Sequence, residues 1–370
     1  MIIEHINLYH LRMPLLSAFE TSFGRITTRD CVLLEAFTEN LVGYGECPAD
    51  RDPGYSYETA GTAWHILKEF LVPAVLGREI GSANELQQHM AFVRGHLMAK
   101  AGLEMALWDM LGKQRGLSLG ELLNGVRQKV EVGVSIGLQE SPDRLVEVVS
   151  GYLSQGYRRV KIKIKPGRDV GDARAVREAF SNLKLQVDAN SAYTLENYVA
   201  LMPLDELDLL LIEQPLAEDD LWDHSKIQAV FRTPICLDES ITSPRLARQA
   251  LEMKACRVIN IKPGRVGGLS QGVAIHDLCQ DEGIPVWCGG MLETGVGRAS
   301  NLAIASLPGF SLPGDISATD RYYDEDITNE RFTLNPDSTI DVPSGAGLGI
   351  TINQGALGRV TINKLSLSTD

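Results

Sequence analysis

From residue 130 onward, short runs of branched apolar residues alternate with longer stretches whose apolar positions recur at helical spacing. This alternation predicts βα units around a parallel sheet. The runs are Val130–Ile136, with strict in-out alternation, then Val160–Ile164, Leu183–Asp188, Leu209–Glu213, Ile235–Asp238, Val258–Lys262, Ile284–Cys288 and a weaker one at Ser311–Ile316. Their last polar or small residues fall at 135, 163, 188, 213, 238, 262, 288 and 315, in steps of 24 to 28. Such a period predicts an α/β fold, a modified (β/α)8 TIM-type barrel over residues 126–320.

The first 125 residues lack this rhythm. A strand-like run, Cys31–Ala36, is followed by helices, one of them predicted over His96–Lys113, where Met98, Ala101, Met105, Trp108 and Gly112 form one buried face. Residues 321–370 are rich in Asn, Asp, Gly, Ser and Thr, with short apolar runs such as Gly349–Ile352. They read as a return to the first unit, so an α+β capping domain built from both ends of the chain is predicted beside the barrel.

Composition excludes several classes. The chain has 370 residues, 44% hydrophobic and 22% charged, and no apolar run near the ~20 residues that cross a bilayer, so no membrane partner is expected. No basic stretch followed by an apolar core opens it, and a cytoplasmic location is expected. Its net charge of −13 opposes the phosphate backbone of nucleic acid. Six cysteines (Cys31, Cys47, Cys236, Cys256, Cys279 and Cys288) form no CxxC pair and are expected to be reduced core thiols.

Pointing directions turn the strand pattern into chemistry. Side chains of a barrel strand alternate between interior and surrounding helices. With Val160, Ile162 and Ile164 on the helix side, Lys161 and Lys163 point inward. The next three strands each end in an acid: Asp188, Glu213 and Asp238. Carboxylates converging on one mouth repel without a cation between them, and an all-oxygen donor set favours Mg²⁺ or Mn²⁺ over zinc. The following strand places Lys262 across the barrel from Lys163, with Arg265 just beyond. An amine on each side of a bound metal is a device for moving the proton next to a carboxylate, through an ene-diolate. The nearby Mg²⁺, the other lysines and Arg265 are expected to bring the lysine pKa down toward the working range.

These motifs resemble the enolase superfamily, muconate-lactonizing subgroup, and within it the o-succinylbenzoate synthase / N-succinylamino acid racemase family. The likeness is carried by Lys161-Ile162-Lys163, Asp188-Ala189-Asn190, Glu213-Gln214-Pro215, Asp238-Glu239-Ser240 and Ile261–Gly268, and by Gly43–Cys47 and Ala101–Asp109 in the cap. It implies that Asp188, Glu213 and Asp238 hold Mg²⁺, that Lys163 and Lys262 are the acid/base pair, and that Lys161 holds the substrate carboxylate and tunes Lys163. Asn190 and Glu239 are implied as supports. Two mobile cap loops, Phe19–Gly24 and Pro48–Tyr55, are implied over the barrel mouth, with Phe19 and Tyr55 covering the substrate. Ser135, Gly289, Gly290 and Met291 are expected to face the site, the glycines letting substrate approach the backbone. Cys288-Gly289 stands where mandelate-racemase-like relatives would carry a histidine, which argues against an acid-sugar dehydratase. The expected partner is a small carboxylate, and a homo-oligomer is expected. The implied reaction is o-succinylbenzoate synthesis, as in menaquinone biosynthesis, or N-acylamino acid racemisation, to which Arg265 points. A dipeptide epimerase or a silent scaffold are the alternatives.

Overall fold

The computed structural model describes residues 1–369. Strands β1 (His5–Thr21), β2 (Gly24–Phe37) and β3 (Val42–Cys47) form an antiparallel sheet whose fourth member comes from the far end of the chain. That strand, Thr361–Ser368, pairs with β1 from His5↔Ser368 onward. The cap is thus closed by both ends of the chain.

β1 and β2 are long for strands, and their ladder continues past an irregularity between Pro14 and Phe19 to Thr21↔Gly24. The segment Phe19–Gly24, expected as a loop, is therefore the end of a β-hairpin turning at Ser22-Phe23. Its hold on the barrel explains the regularity: the Leu138 amide donates to the Glu20 carbonyl at 2.9 Å, and Gly137 leaves room for that approach. A Cβ at Gly137 would lie 2.7 Å from the Glu20 oxygen. By contrast, residues Asp50–Tyr55 carry no strand or helix.

The predicted helix is present at Leu97–Arg115. More than one face is covered, because it lies between the cap sheet and the barrel; Lys100, Glu104 and Asp109 are buried along with Met98, Ala101, Met105 and Gly112, while Trp108 is only half-buried. Gly43 and Gly45 of β3 allow the contact, since a Cβ on either would strike the backbone oxygen of Ala106 or Gly102.

The barrel wall is a parallel sheet of seven strands: β5 (Val134–Ile136), β6 (Arg159–Lys163), β7 (Lys184–Asp188), β8 (Ile212–Glu213), β9 (Ile235–Leu237), β10 (Val258–Ile261) and β11 (Val286–Cys288), in chain order around the ring. Two expectations change here. The run Val130–Ile136 splits, because β4 (Lys129–Glu131) pairs antiparallel with β12 (Thr339–Asp341), and β5 alone joins the barrel. Likewise, Ser311–Ile316 is not a regular strand. Pro313 has no N–H to give a ladder, and single hydrogen bonds close the ring: Ser311 N to Val286 O, Gly314 N to Glu131 O, Gly133 N to Gly314 O and Asp315 N to Cys288 O. The fully buried Arg159 guanidinium locks this seam by donating to Pro313 O at 3.0 Å and to Gly314 O.

All six cysteines are buried free thiols. No helix among the described residues is long and apolar enough to cross a membrane.

Candidate active site

Parallel registry puts the chemistry on one rim. Lys163 pairs with Asp188 across β6 and β7, and Asp188 with Glu213 across β7 and β8. Lys161, Lys163, Asp188, Glu213, Asp238 and Lys262 are all buried there. The three lysines differ in how many N–H bonds the protein has used. Lys161 Nζ is ringed by three carboxylates, Asp188 at 2.9 Å, Glu213 at 2.7 Å and Asp315 at 2.6 Å, so none of its protons is free. Lys163 donates to Asp188 at 2.7 Å and to Asn190 Oδ1 at 2.6 Å, and Lys262 to Asp238 at 2.7 Å and to the Tyr55 hydroxyl at 3.0 Å. Each of these two keeps one donor open, and both line the same cleft.

Electrostatics grade the acids. Burial alone would raise Asp188, but Lys161 and Lys163 hold it far below the usual carboxylate range. Asp238 is also lowered, with Lys262 and Arg265 overcoming burial. Glu213, in the middle of the row, is pushed up to about 8 by burial and by the charge of Asp188, with Asp238 adding to it. At Lys262 burial acts to lower the ammonium pKa and the charge of Asp238 to raise it, and Asp238 prevails.

Supporting residues take definite places. Asn190, at φ 43°, accepts from Lys163, donates through Nδ2 to Glu239 Oε1 at 2.7 Å, and receives the Ser22 hydroxyl of the hairpin tip on its carbonyl. Glu239 Oε2 is buried without a partner. Arg265 sits beneath the site, donating to Asp238, Ile241 O and Asn260 O. Phe19, Tyr55, Ser135, Gly290 and Met291 line the cleft, whose empty volume is about 870 Å³. Lys163 Nζ lies 6.0 Å from the Phe19 ring centre. The glycines also serve packing: a Cβ at Gly289 would meet Asn260 and Lys262, and one at Gly290 the Asp315 carbonyl. They make room for protein.

Sequence reasoning missed four contributors. Arg29, fully enclosed, ties β2 to both rims by donating to Pro48 O and to Met291 O at 2.9 Å and by pairing with the Asp50 carboxylate at 3.2 Å. Asn260 donates to Glu213 Oε1 at 2.8 Å. Tyr322 lines the cleft from the C-terminal return. Asp315 holds Lys161, and the strand period had marked its position without assigning it a role.

The donor set fits a hard divalent cation. Asp188, Glu213 and Asp238 offer oxygens only, and the unpartnered Glu239 oxygen lies beside them in sequence. As described, their oxygens do not gather around one point: among the described residues no group of three His, Cys, Asp or Glu side chains is arranged as a metal centre. The Lys161 ammonium instead lies against both Asp188 and Glu213.

Comparison with known proteins supplies an independent view. Residues 5–124 match the mandelate racemase / muconate lactonizing enzyme N-terminal domain, and residues 144–356 the enolase C-terminal domain-like family. An o-succinylbenzoate synthase of Geobacillus kaustophilus is 48% identical over 97% of this chain and 96% of its own length. An N-succinylamino acid racemase of Thermus thermophilus is 49% identical over 97% of both. The crystal structure of an enolase superfamily member from Listeria innocua superposes with a TM-score of 0.95 at 41% identity, covering 100% of this chain and 99% of its own.

Proposed function

The chain belongs to the mandelate racemase / muconate lactonizing enzyme family of the enolase superfamily and is an enzyme; we propose that it removes the α-proton of a small carboxylate, as an N-succinylamino acid racemase and an o-succinylbenzoate synthase. The observation that carries this reading is the pair Lys163 and Lys262. Lys163 ends β6 and Lys262 directly follows β10, on either side of the acid row; both face one cleft, and each keeps one open N–H.

Mg²⁺ held by Asp188, Glu213 and Asp238 would neutralise the negative charge that builds on the substrate carboxylate as the proton leaves. The protein does the rest. For racemisation, the neutral amine of one lysine takes the α-proton from one face, and the ammonium of the other returns a proton to the opposite face. The enzyme is then restored with the proton on the other lysine. For the synthase reaction, the Lys163 amine takes the α-proton and gives it back to the departing β-hydroxyl, which leaves as water. Lys262, entering this reaction as an ammonium beside Asp238, stabilises the anion throughout. Tyr55 and Phe19 close the cleft above, excluding water.

The test is exchange in deuterated solvent with Mg²⁺ present. The unaltered enzyme should wash deuterium into the α-position of both enantiomers of an N-succinylamino acid. Lys163→Ala and Lys262→Ala should each lose racemisation and keep exchange in opposite enantiomers. Near-normal racemisation by both variants would refute the pair. Parallel turnover of the synthase substrate decides whether one or both reactions are supported.

A further inference from the structure

We infer that Asp315 is a positioning residue for one face of the reaction: clamped by Arg159, it fixes the Lys161 ammonium and, through the shared Asp188 carboxylate, the Lys163 amine. The inference rests on the two-base reading above. Lys161 has three N–H bonds and three carboxylates to receive them, and Asp315 is the one of the three that is not a proposed metal ligand. It stands on the irregular seam that closes the barrel, with both oxygens engaged: Oδ2 by Lys161 at 2.6 Å, Oδ1 by Arg159 Nη1 at 2.6 Å. Lys161 and Arg159 are two residues apart on β6, so one carboxylate spans two inward cations of a single strand. The Trp287 ring lies against both, 5.0 Å from Lys161 Nζ and 5.7 Å from the Arg159 guanidinium. With its third acceptor gone, Lys161 would be held by Asp188 and Glu213 alone, with one N–H left to seek another partner in the cleft it lines.

The consequence is one-sided. Asp188 Oδ2 is shared by Lys161 and Lys163, whereas Lys262 is held by Asp238 and Tyr55. A displaced Lys161 therefore disturbs Lys163 before Lys262.

The experiment measures α-deuterium exchange for each enantiomer of an N-succinylamino acid with the Mg²⁺-loaded enzyme, faces being assigned with Lys163→Ala. Asp315→Asn should slow exchange on the Lys163 face by about 10- to 100-fold, the range for removing a partner that orients a site residue, and change the other face by less than about threefold. Asp315→Glu, which keeps the charge but shifts it by a methylene, should show the same one-sided loss and serves if the amide variant does not fold. Because Asp315 acts through Lys161, adding Asp315→Asn to Lys161→Met should cost less than about threefold more on the Lys163 face. Equal loss on both faces, or losses that multiply in the double variant, would overturn the role. If the unaltered enzyme exchanges neither enantiomer, the two-base reading falls and takes this role with it; exchange intact in Asp315→Asn removes Asp315 alone.

Discussion

A lysine in this barrel is defined less by its own chemistry than by how many carboxylates reach it. Lys161 and Lys163 look interchangeable as neighbours on one inward face, yet the first is saturated by three acids and the second is left with an open donor. The inward pointing of both, and the acids at three successive strand ends, were legible in the alternation of residues 160–164 and in the period of the runs. The distribution of partners was not, because it depends on Arg159 and Asp315, whose pairing spans 156 residues and no motif. Glu213, at the centre of the row, is where the proposed cation matters most. Glu213→Gln should lower turnover by at least ~100-fold, as for loss of one preorganised electrostatic group, and weaken Mn²⁺ binding measured by calorimetry. Full turnover in a chelator-treated sample verified free of metal would contradict the metal's role.

Elements were legible where their pairing is local and hidden where it is not. The strand period located the seven wall strands, but the eighth run contains Pro313 and closes the ring through isolated hydrogen bonds. Periodicity could not expose that difference, since apolar character survives where the ladder does not. Phe19–Gly24 misled in the opposite way: its polar, glycine-containing sequence suggests a loop, while docking on Gly137 and Asn190 keeps it a hairpin. Gly137→Ala probes that docking. The new methyl would lie 2.7 Å from the Glu20 oxygen, and relieving such overpacking costs about 1–3 kcal/mol. If the hairpin tip lifts to relieve it, KM should rise about 5- to 150-fold, with kcat and the melting temperature changing far less. An unchanged KM on every accepted substrate would show that the tip does not close the cleft.

At the scale of the whole molecule, cap and barrel meet through buried charge, and that gives the joint a pH dependence. Glu46 on β3 reaches across to accept from the Thr294 hydroxyl at 2.6 Å and from the Gly297 amide at 3.0 Å, at the start of the helix Gly295–Ala305. Burial, reinforced by nearby Glu293, raises its carboxyl to about 7, and the hydrogen bonds only partly offset this. The sign follows from linkage. Between the unfolded value near ~4.5 and the folded value, the folded state binds the extra proton, so this group's contribution to stability falls as pH rises across that window. Above it, the full cost of a buried carboxylate, about 3 kcal/mol, is present. Glu46→Gln keeps a hydrogen-bond acceptor at the helix start and cannot ionise. Its unfolding free energy relative to the unaltered protein, from urea titrations, should therefore increase by about 2–3 kcal/mol between pH 4 and pH 8, the variant gaining stability over the unaltered protein. A difference that stays flat over that range would mean that the Glu46 carboxyl titrates alike in the folded and unfolded chain, and that the joint between cap and barrel is indifferent to pH at this position.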